Sequence, residues 1–237
     1  MKILAFETSA KAASVALLDQ GKLLGENYQN TGMTHSQTLM VMAEDLLKTA
    51  GLTAQDVDAV AVAAGPGSFT GVRIGVAAAK GFAWGRQIPC YGVSTLESMA
   101  RNLGVWQGYV VPAMDARRSQ VYTAIFHAEN GILTRLEEDM AISLEELKEK
   151  IKNFPEPVFL VGDGALLCYN TLLEEVTGLV LPPEHRMHQR AAGVALAAQV
   201  LIDAGEPGNG AELIPNYLRL SQAERERAAR ENREKGV

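Results

Sequence analysis

The sequence predicts an α/β protein of two lobes, each with the same order of elements. Three observations predict it. The order βββαβαβα can be read twice along the 237 residues. Each half opens with three short apolar runs joined by tight turns, the pattern of an antiparallel meander. Each half then alternates strands with helix-length amphipathic segments, the pattern of parallel strands joined by right-handed crossovers. The repeat is one of topology, not of sequence identity.

In the first half, Ile3 to Glu7, Ser14 to Leu18 and Lys22 to Tyr28 read as strands, with Gln20-Gly21 as a turn. Thr34 is placed to cap a helix from His35 to Ala50, stopped by Gly51. Leu39, Ala43, Leu46, Leu47 and Ala50 follow the helical period. Asp58 to Ala64 is a buried strand, Thr70 to Trp84 a helix and Pro89 to Val93 a strand. Ser94 or Thr95 then caps a helix through Leu103.

In the second half, Tyr109 to Met114, Gln120 to His127 and Ile132 to Leu136 are strands, with Glu129-Asn130-Gly131 as a hairpin turn. Ser143-x-x-Glu146 is a capping box opening a helix to Lys152. Val158 to Val161 is a strand, Ala165 to Val176 a helix, Leu179 to Leu181 a strand, and Ala191 to Ala204 a helix ended by Gly205. The expected lobes are 1–105 and 106–189, with a C-terminal helix at about 190–215 completing the first. A charged tail over 220–237 follows. Two such RNase H-like units side by side make a cleft, the architecture of the actin-like, hexokinase and heat-shock-chaperone ATPases.

Composition narrows the function classes. Hydrophobic residues make up 47% and charged residues 21%, so a packed core is expected rather than a disordered chain. A formal net charge of -6 argues against a stand-alone nucleic-acid binder, which needs cations to neutralise phosphates. The tail interleaves Arg with Glu and reads as solvated. Cys90 and Cys168 lie in separate apolar runs and read as buried thiols. Glu7 follows the first apolar residues at once, too early for a signal peptide, and no apolar run reaches the ~18 residues of a membrane span. A reducing cytoplasm is expected.

Gly65-Pro66-Gly67-Ser68-Phe69-Thr70-Gly71 follows a buried strand and opens a helix. Amides there can hold an anion. The spacing matches neither a dinucleotide fingerprint nor a Walker loop, which favours a tight strand-to-helix turn. Glu7-Thr8-Ser9 ends the first strand, and Met114-Asp115-Ala116-Arg117-Arg118 occupies the equivalent place in the second half. A phosphate-cradling hairpin prefers glycine there, so Arg117 and Arg118 argue against a second phosphate loop. Gly162-Asp163-Gly164 reads either as a nucleoside contact or as a strand-to-helix turn. His185 and His188 fall in an expected loop without a carboxylate cluster and read as a surface pair. There is no nucleophile elbow and no His-Glu-x-x-His, so a peptidase has little support. An active small-molecule kinase would need two glycine-lined phosphate hairpins, and the sequence offers at best one.

Two helices carry more apolar residues than one sheet face can cover. Met33 just ahead of it and His35, Leu39, Met40, Met42 and Leu46 within it mark the first; Val72, Ile74, Val76, Phe82 and Trp84 mark the second. Together they read as a protein–protein interface.

Four stretches carry a family resemblance. Ile3 to Ser9, Ala64 to Gly75, Met114 to Tyr122 and Pro215-Asn216-Tyr217-Leu218-Arg219 resemble the TsaB (YeaZ) family, in the same order along nearly the whole chain. The resemblance implies a non-catalytic component of the machinery that makes N6-threonylcarbamoyladenosine at position 37 of tRNA. It implies a TsaD homologue as catalytic partner, a TsaE homologue as recruited ATPase, and a homodimer when the chain is alone. It implies no metal and no cofactor bound by the isolated chain, with ATP or ADP only in the complex, and tRNA contact only through the complex. Thr95 and Met99 stand where the catalytic paralogue carries its metal-binding histidine pair. Glu7, Thr8, Ser9, Gly65, Gly67, Asp115, Gly162 and Gly164 are then expected to be vestiges of nucleotide loops.

Overall fold

The computed structural model describes residues 1–155 and 157–219. The expected charged tail lies outside the described residues. Five strands form the first sheet: β1 (Lys2–Glu7), β2 (Ala13–Asp19), β3 (Lys22–Gln29), β4 (Ala59–Gly65) and β5 (Cys90–Ser94), in the order β3-β2-β1-β4-β5. Five more form the second: β6 (Gly108–Asp115), β7 (Gln120–Glu129), β8 (Ile132–Ser143), β9 (Val158–Val161) and β10 (Leu179–Val180), in the order β10-β9-β6-β7-β8. Read from opposite ends, the two orders are identical. In each sheet the meander strands pair antiparallel and the later strands parallel. The duplicated two-lobed α/β fold expected from the sequence is present.

The strand period sets the layers. Leu4 and Phe6 of β1 point to one face, packing with α1 (His35–Thr49) and α2 (Phe69–Arg86); Ile3 and Ala5 point to the other, packing with α7 (Ala191–Asp203). On the second sheet, α4 (Leu144–Ile151) and α5 (Ala165–Leu172) cover one face and α3 (Thr95–Leu103) the other. The lobes therefore exchange helices. Leu96, Met99, Ala100 and Leu103 from the first half pack against Val110, Ala124 and Phe126 of the second sheet. The Ala-rich helix at the end of the second half covers the first sheet. The two exchanged helices touch where a Cβ on Gly193 would overlap the Ser98 carbonyl oxygen.

Four local expectations are corrected. The C-terminal helix ends at Asp203, and 204–219 continue as non-helical chain. β8 runs on past Leu136 to Ser143, because Glu137 to Ser143 keep pairing with β7 beyond an irregularity in register. Thr34 sits at the α1 N-cap without making a side-chain cap bond. His185 lies in a short helix, α6 (Glu184–Met187), rather than in a loop, and His188 just after it pairs with Glu184 at 3.0 Å. The capping box on α4 forms as read, and Ser94 rather than Thr95 caps α3. Both cysteines are buried, which pushes their thiols up to about 11 (Cys90) and about 12 (Cys168).

The N-terminus of α7 has no cap of its own, since Arg190 stands at its N-cap. The first sheet supplies one. Ser14 Oγ accepts from the Ala191 N–H at 3.1 Å, and Glu26 accepts from the Ala192 N–H at 3.1 Å. Glu26 also accepts from the Ser14 hydroxyl and pairs with Arg190 at 2.7 Å, its side chain only 10% exposed. Replacing Glu26 with Ala should cost about 2–3 kcal/mol, because it uncaps a helix and leaves Arg190 without its carboxylate. Urea denaturation of the variant checks this; a loss below about 0.5 kcal/mol, the scale of a surface change, would contradict it.

Candidate functional site

A cleft of about 610 Å³ opens between the lobes. Its walls are Ser9 to Lys11 after β1, Pro66 to Thr70 after β4, Met114 to Arg117 after β6, Asp163 after β9, and Asn216 to Arg219. All four acidic and glycine-rich loops singled out in the sequence meet here. Among the residues expected as vestigial loops, Ser9, Gly67 and Asp115 line the cleft directly.

The glycines are used by the chain itself. A Cβ on Gly67 would lie 2.5 Å from the Ser9 carbonyl oxygen; one on Gly71 would overlap the Thr8 carbonyl oxygen, and one on Gly75 the Thr8 hydroxyl. Thr8 Oγ1 donates to the Gly71 carbonyl at 2.8 Å, and the Ser68 N–H donates to the Ser9 carbonyl. The end of β1 thus lies flat on the start of α2. Gly65 has φ +118°, and a Cβ on it would overlap the Asn216 carbonyl oxygen. Gly162, with φ +111°, and Gly164 make the same close approach to the backbone of residues 113–115. Gly65, Gly67, Gly162 and Gly164 thus lie where the chain passes itself too closely for a side chain, and Gly71 and Gly75 do the same inside α2.

The opposite hairpin carries no glycine at its tip. Arg117, Arg118 and Ser119 all adopt left-handed φ, between 54° and 64°. Such a run is strained for non-glycine residues and needs outside support. Asp115 accepts from the Arg117 N–H at 2.7 Å, and the Ala116 N–H donates to the Gln120 carbonyl at 3.0 Å. Arg219 supplies the rest, donating to the Ala116 carbonyl at 2.8 Å and to the Gln120 side chain.

That contact ends a strap running over 208–219. Lys80 on α2 donates to the carbonyls of Ala211 and Leu213, and the Asn216 N–H donates to the Ala64 carbonyl at 2.6 Å. Tyr217 stacks on Phe69 with ring centroids 4.5 Å apart and accepts from Arg73 Nε at 2.8 Å; that guanidinium also lies 3.9 Å above Phe69. Sequence reasoning quoted the Pro215 to Arg219 stretch but gave it no site role. Its alternation of an aromatic with a cation was the available signal.

Glu7 is wholly buried beneath the cleft. It accepts from the Ser9 N–H at 2.6 Å, while its other carboxyl oxygen makes no hydrogen bond to described residues. Burial, opposed by the Ser9 hydrogen bonds and assisted by the nearby Asp163 carboxylate, raises its pKa to about 7. Burial also raises Asp163, against a hydrogen bond from Gln189. Around Glu97 the balance reverses. Burial works against its carboxylate, but hydrogen bonds from Arg135 and Arg101 outweigh it and hold the pKa low. Asp139 on β8 completes this network, accepting from Ser94 at 2.6 Å and pairing with Arg135 at 2.8 Å.

Thr95 and Met99 are buried. Met99 belongs to the apolar cluster under the second sheet, its sulfur 3.0 Å from where a Gly162 Cβ would lie. Among the described residues no group of three or more His, Cys, Asp or Glu side chains is arranged to hold a metal ion. Of the amides after β4, that of Ser68 donates to the Ser9 carbonyl at 2.6 Å, and the tip of the second hairpin presents arginine side chains. Among the described residues, no helix is long and apolar enough to cross a membrane.

The expected interface residues divide. Leu39, Met42, Leu46, Val72 and Val76 are buried in the first core, packed on the sheet, so they offer no surface to a partner. Their helical period faces the strands, which is why apolar content alone misplaced them. Met33 and Met40 are exposed, while Ile74 and Phe82 are half-buried. His35 is half-buried and held by the Ala10 carbonyl at 2.8 Å. Val41, which the sequence pattern did not mark, and Trp84 are 56% and 86% exposed on the same two helices.

The fold and its cleft define a two-lobed α/β protein of duplicated topology, with the loops that end β1, β4, β6 and β9 meeting between the lobes. The family model for TsaD, tRNA N6-adenosine threonylcarbamoyltransferase, matches residues 29–226. The tRNA threonylcarbamoyladenosine biosynthesis protein TsaB of Bacillus subtilis is 34% identical over 226 residues, covering 94% of this chain and 96% of its own. The protein of the same name from Escherichia coli is 38% identical over 169 residues, covering 69% and 72%. YeaZ from Pseudomonas aeruginosa superposes with a TM-score of 0.76 at 28% identity, covering 92% of this chain and 99% of that one. The chain belongs to the TsaB (YeaZ) family.

One prediction follows from Glu7. Below its ordinary pKa of 4.5 both folded and unfolded chains hold the proton. As pH rises towards about 7 the unfolded chain ionises first, so this group lowers stability by about 3 kcal/mol in total. Glu7→Gln should remove that slope and be the more stable form at pH 8. Denaturation midpoints of both proteins at pH 5 and pH 8 check this; parallel pH profiles would contradict it.

Proposed function

We propose that this protein is a non-catalytic partner in tRNA N6-threonylcarbamoyladenosine synthesis, binding a catalytic TsaD homologue and helping to recruit a TsaE-type ATPase in the cytoplasm. The observation that carries the reading is the close packing of Gly65, Gly67 and Gly71 against Asn216, Ser9 and Thr8, which commits these glycines to the chain's own contacts. The burial of Met99 in an apolar cluster, where the resemblance places a metal-binding histidine in the paralogue, supports it. Nucleotide and tRNA are then contacted only in the complex.

The partner face on this reading is the outer surface of α1 and α2, centred on Met40, Val41, Phe82 and Trp84. Gly81 and Gly85 support that placement. Gly71 and Gly75 are demanded by the chain's own contacts, whereas a Cβ on Gly81 or Gly85 would meet nothing within 4 Å. Glycine inside a helix costs about 1 kcal/mol relative to Ala, and no internal contact here requires it. A partner helix approaching closely at Gly81 and Gly85 accounts for both. Without the paralogue, two copies use the same face as a homodimer.

Trp84→Glu and Gly81→Leu should each leave the circular dichroism unchanged and weaken association with the paralogue at least tenfold by sizing. Met42→Glu or Val76→Glu should instead unfold the first lobe, by burying a charge in its core. Wild-type co-elution of the first pair would place the interface elsewhere. The isolated chain given threonylcarbamoyl-adenylate and tRNA should form no modified nucleoside; product made without the paralogue would refute the non-catalytic reading.

A further inference from the structure

The mouth of the cleft gathers cations in a protein of net charge -6. Lys11, Arg117 and Arg219 line it, Arg118 stands beside Arg117 at the exposed hairpin tip, and Arg73 reaches Tyr217 from α2. None of the five makes an ion pair with a described residue. Elsewhere Arg101, Arg135 and Arg190 are paired with carboxylates, while Arg86 and Arg186 are each spent on backbone carbonyls. Two acids share the mouth without an ion pair to these cations: Asp115 accepts from the Arg117 N–H, and Asp163 accepts from Gln189.

The backbone is arranged to present these cations. Three consecutive left-handed residues hold Arg117 and Arg118 outward, and Arg219 braces the turn from across the cleft. A strained conformation that is actively supported and displays unpaired cations is a mark of function rather than of packing. The ring of Tyr217, 38% exposed, lies among them. Guanidiniums beside an accessible aromatic face suit an RNA strand, which offers both phosphates and bases; an acidic peptide would use only the charge.

We propose that this hairpin tip, with Arg117 and Arg118 at its centre and Lys11, Arg73, Tyr217 and Arg219 around it, contacts the phosphodiester backbone of the RNA substrate in the assembled complex. The inference rests on the partner role proposed above. The net negative charge of the chain keeps the contact weak in isolation and effective only where the paralogue supplies the rest of the RNA site.

The test is tRNA affinity as a function of salt, measured on the complex of this chain with its paralogue. Complex formation is first read by sizing, which tests the partner role separately. The variants are Arg117→Glu and Arg118→Glu, which suit left-handed backbone no worse than arginine does, with Lys22→Glu on the far hairpin as a control of equal charge. Each tip variant should weaken tRNA binding about tenfold at low salt and reduce the slope of log K against log salt by about 0.7–0.9 per lost phosphate contact. The control should change neither by more than about twofold. If wild-type sizing shows no complex, the same slopes are read on the isolated chain at low salt. Unchanged slopes overturn the proposal. Loss of paralogue binding by the tip variants also overturns it, because the cluster would then dock an acidic protein surface.

Discussion

The rest of the structure depends on the contact between the end of β1 and the start of α2. Thr8 and Ser9 lie so close to the helix that no side chain fits at positions 67, 71 and 75. That approach buries Glu7 completely and sets its high pKa. It also turns the Ser68 amide inward, onto the Ser9 carbonyl, at a helix N-terminus where a free amide could face an anion. Close packing and phosphate binding make competing demands on the same glycines, and here packing has them.

A second constraint follows from the exchange of helices between lobes. Because α3 covers the second sheet and α7 the first, neither lobe has a complete core by itself. The Glu26–Arg190 pair fixes one crossing, and the Ser94–Asp139–Arg135–Glu97 network fixes the other. The strap over 208–219 then bridges the cleft above them, from Lys80 on α2 to the β6–β7 turn. Each tie joins residues far apart in sequence, which couples lobe orientation to the cleft.

The fold was legible in the sequence because it depends on local patterns: alternation in β1, the 3.6-residue period in α1, the Ser143–Glu146 capping box, and Asn130-Gly131 at a hairpin. The family was legible because its motifs coincide with the loops that meet at the cleft. What escaped was whatever depends on the third dimension. Periodicity marks Leu39 and Met42 as apolar but does not say which side the sheet covers, so core and face were merged. The length of β8 escaped because Glu137, Glu138 and Asp139 interrupt its apolar pattern, and Asp139 finds its partners Ser94 and Arg135 only in the folded chain. The strap was invisible as a site because Arg219 acts on carbonyls a hundred residues away.

The central claim is that the chain's own backbone has taken the place of a phosphate ligand. Calorimetric titration of the isolated protein with ATP and magnesium tests it most directly. The account predicts no heat of binding at micromolar nucleotide and no turnover. A submicromolar dissociation constant accompanied by ATP hydrolysis or phosphoryl transfer by the isolated chain would contradict it.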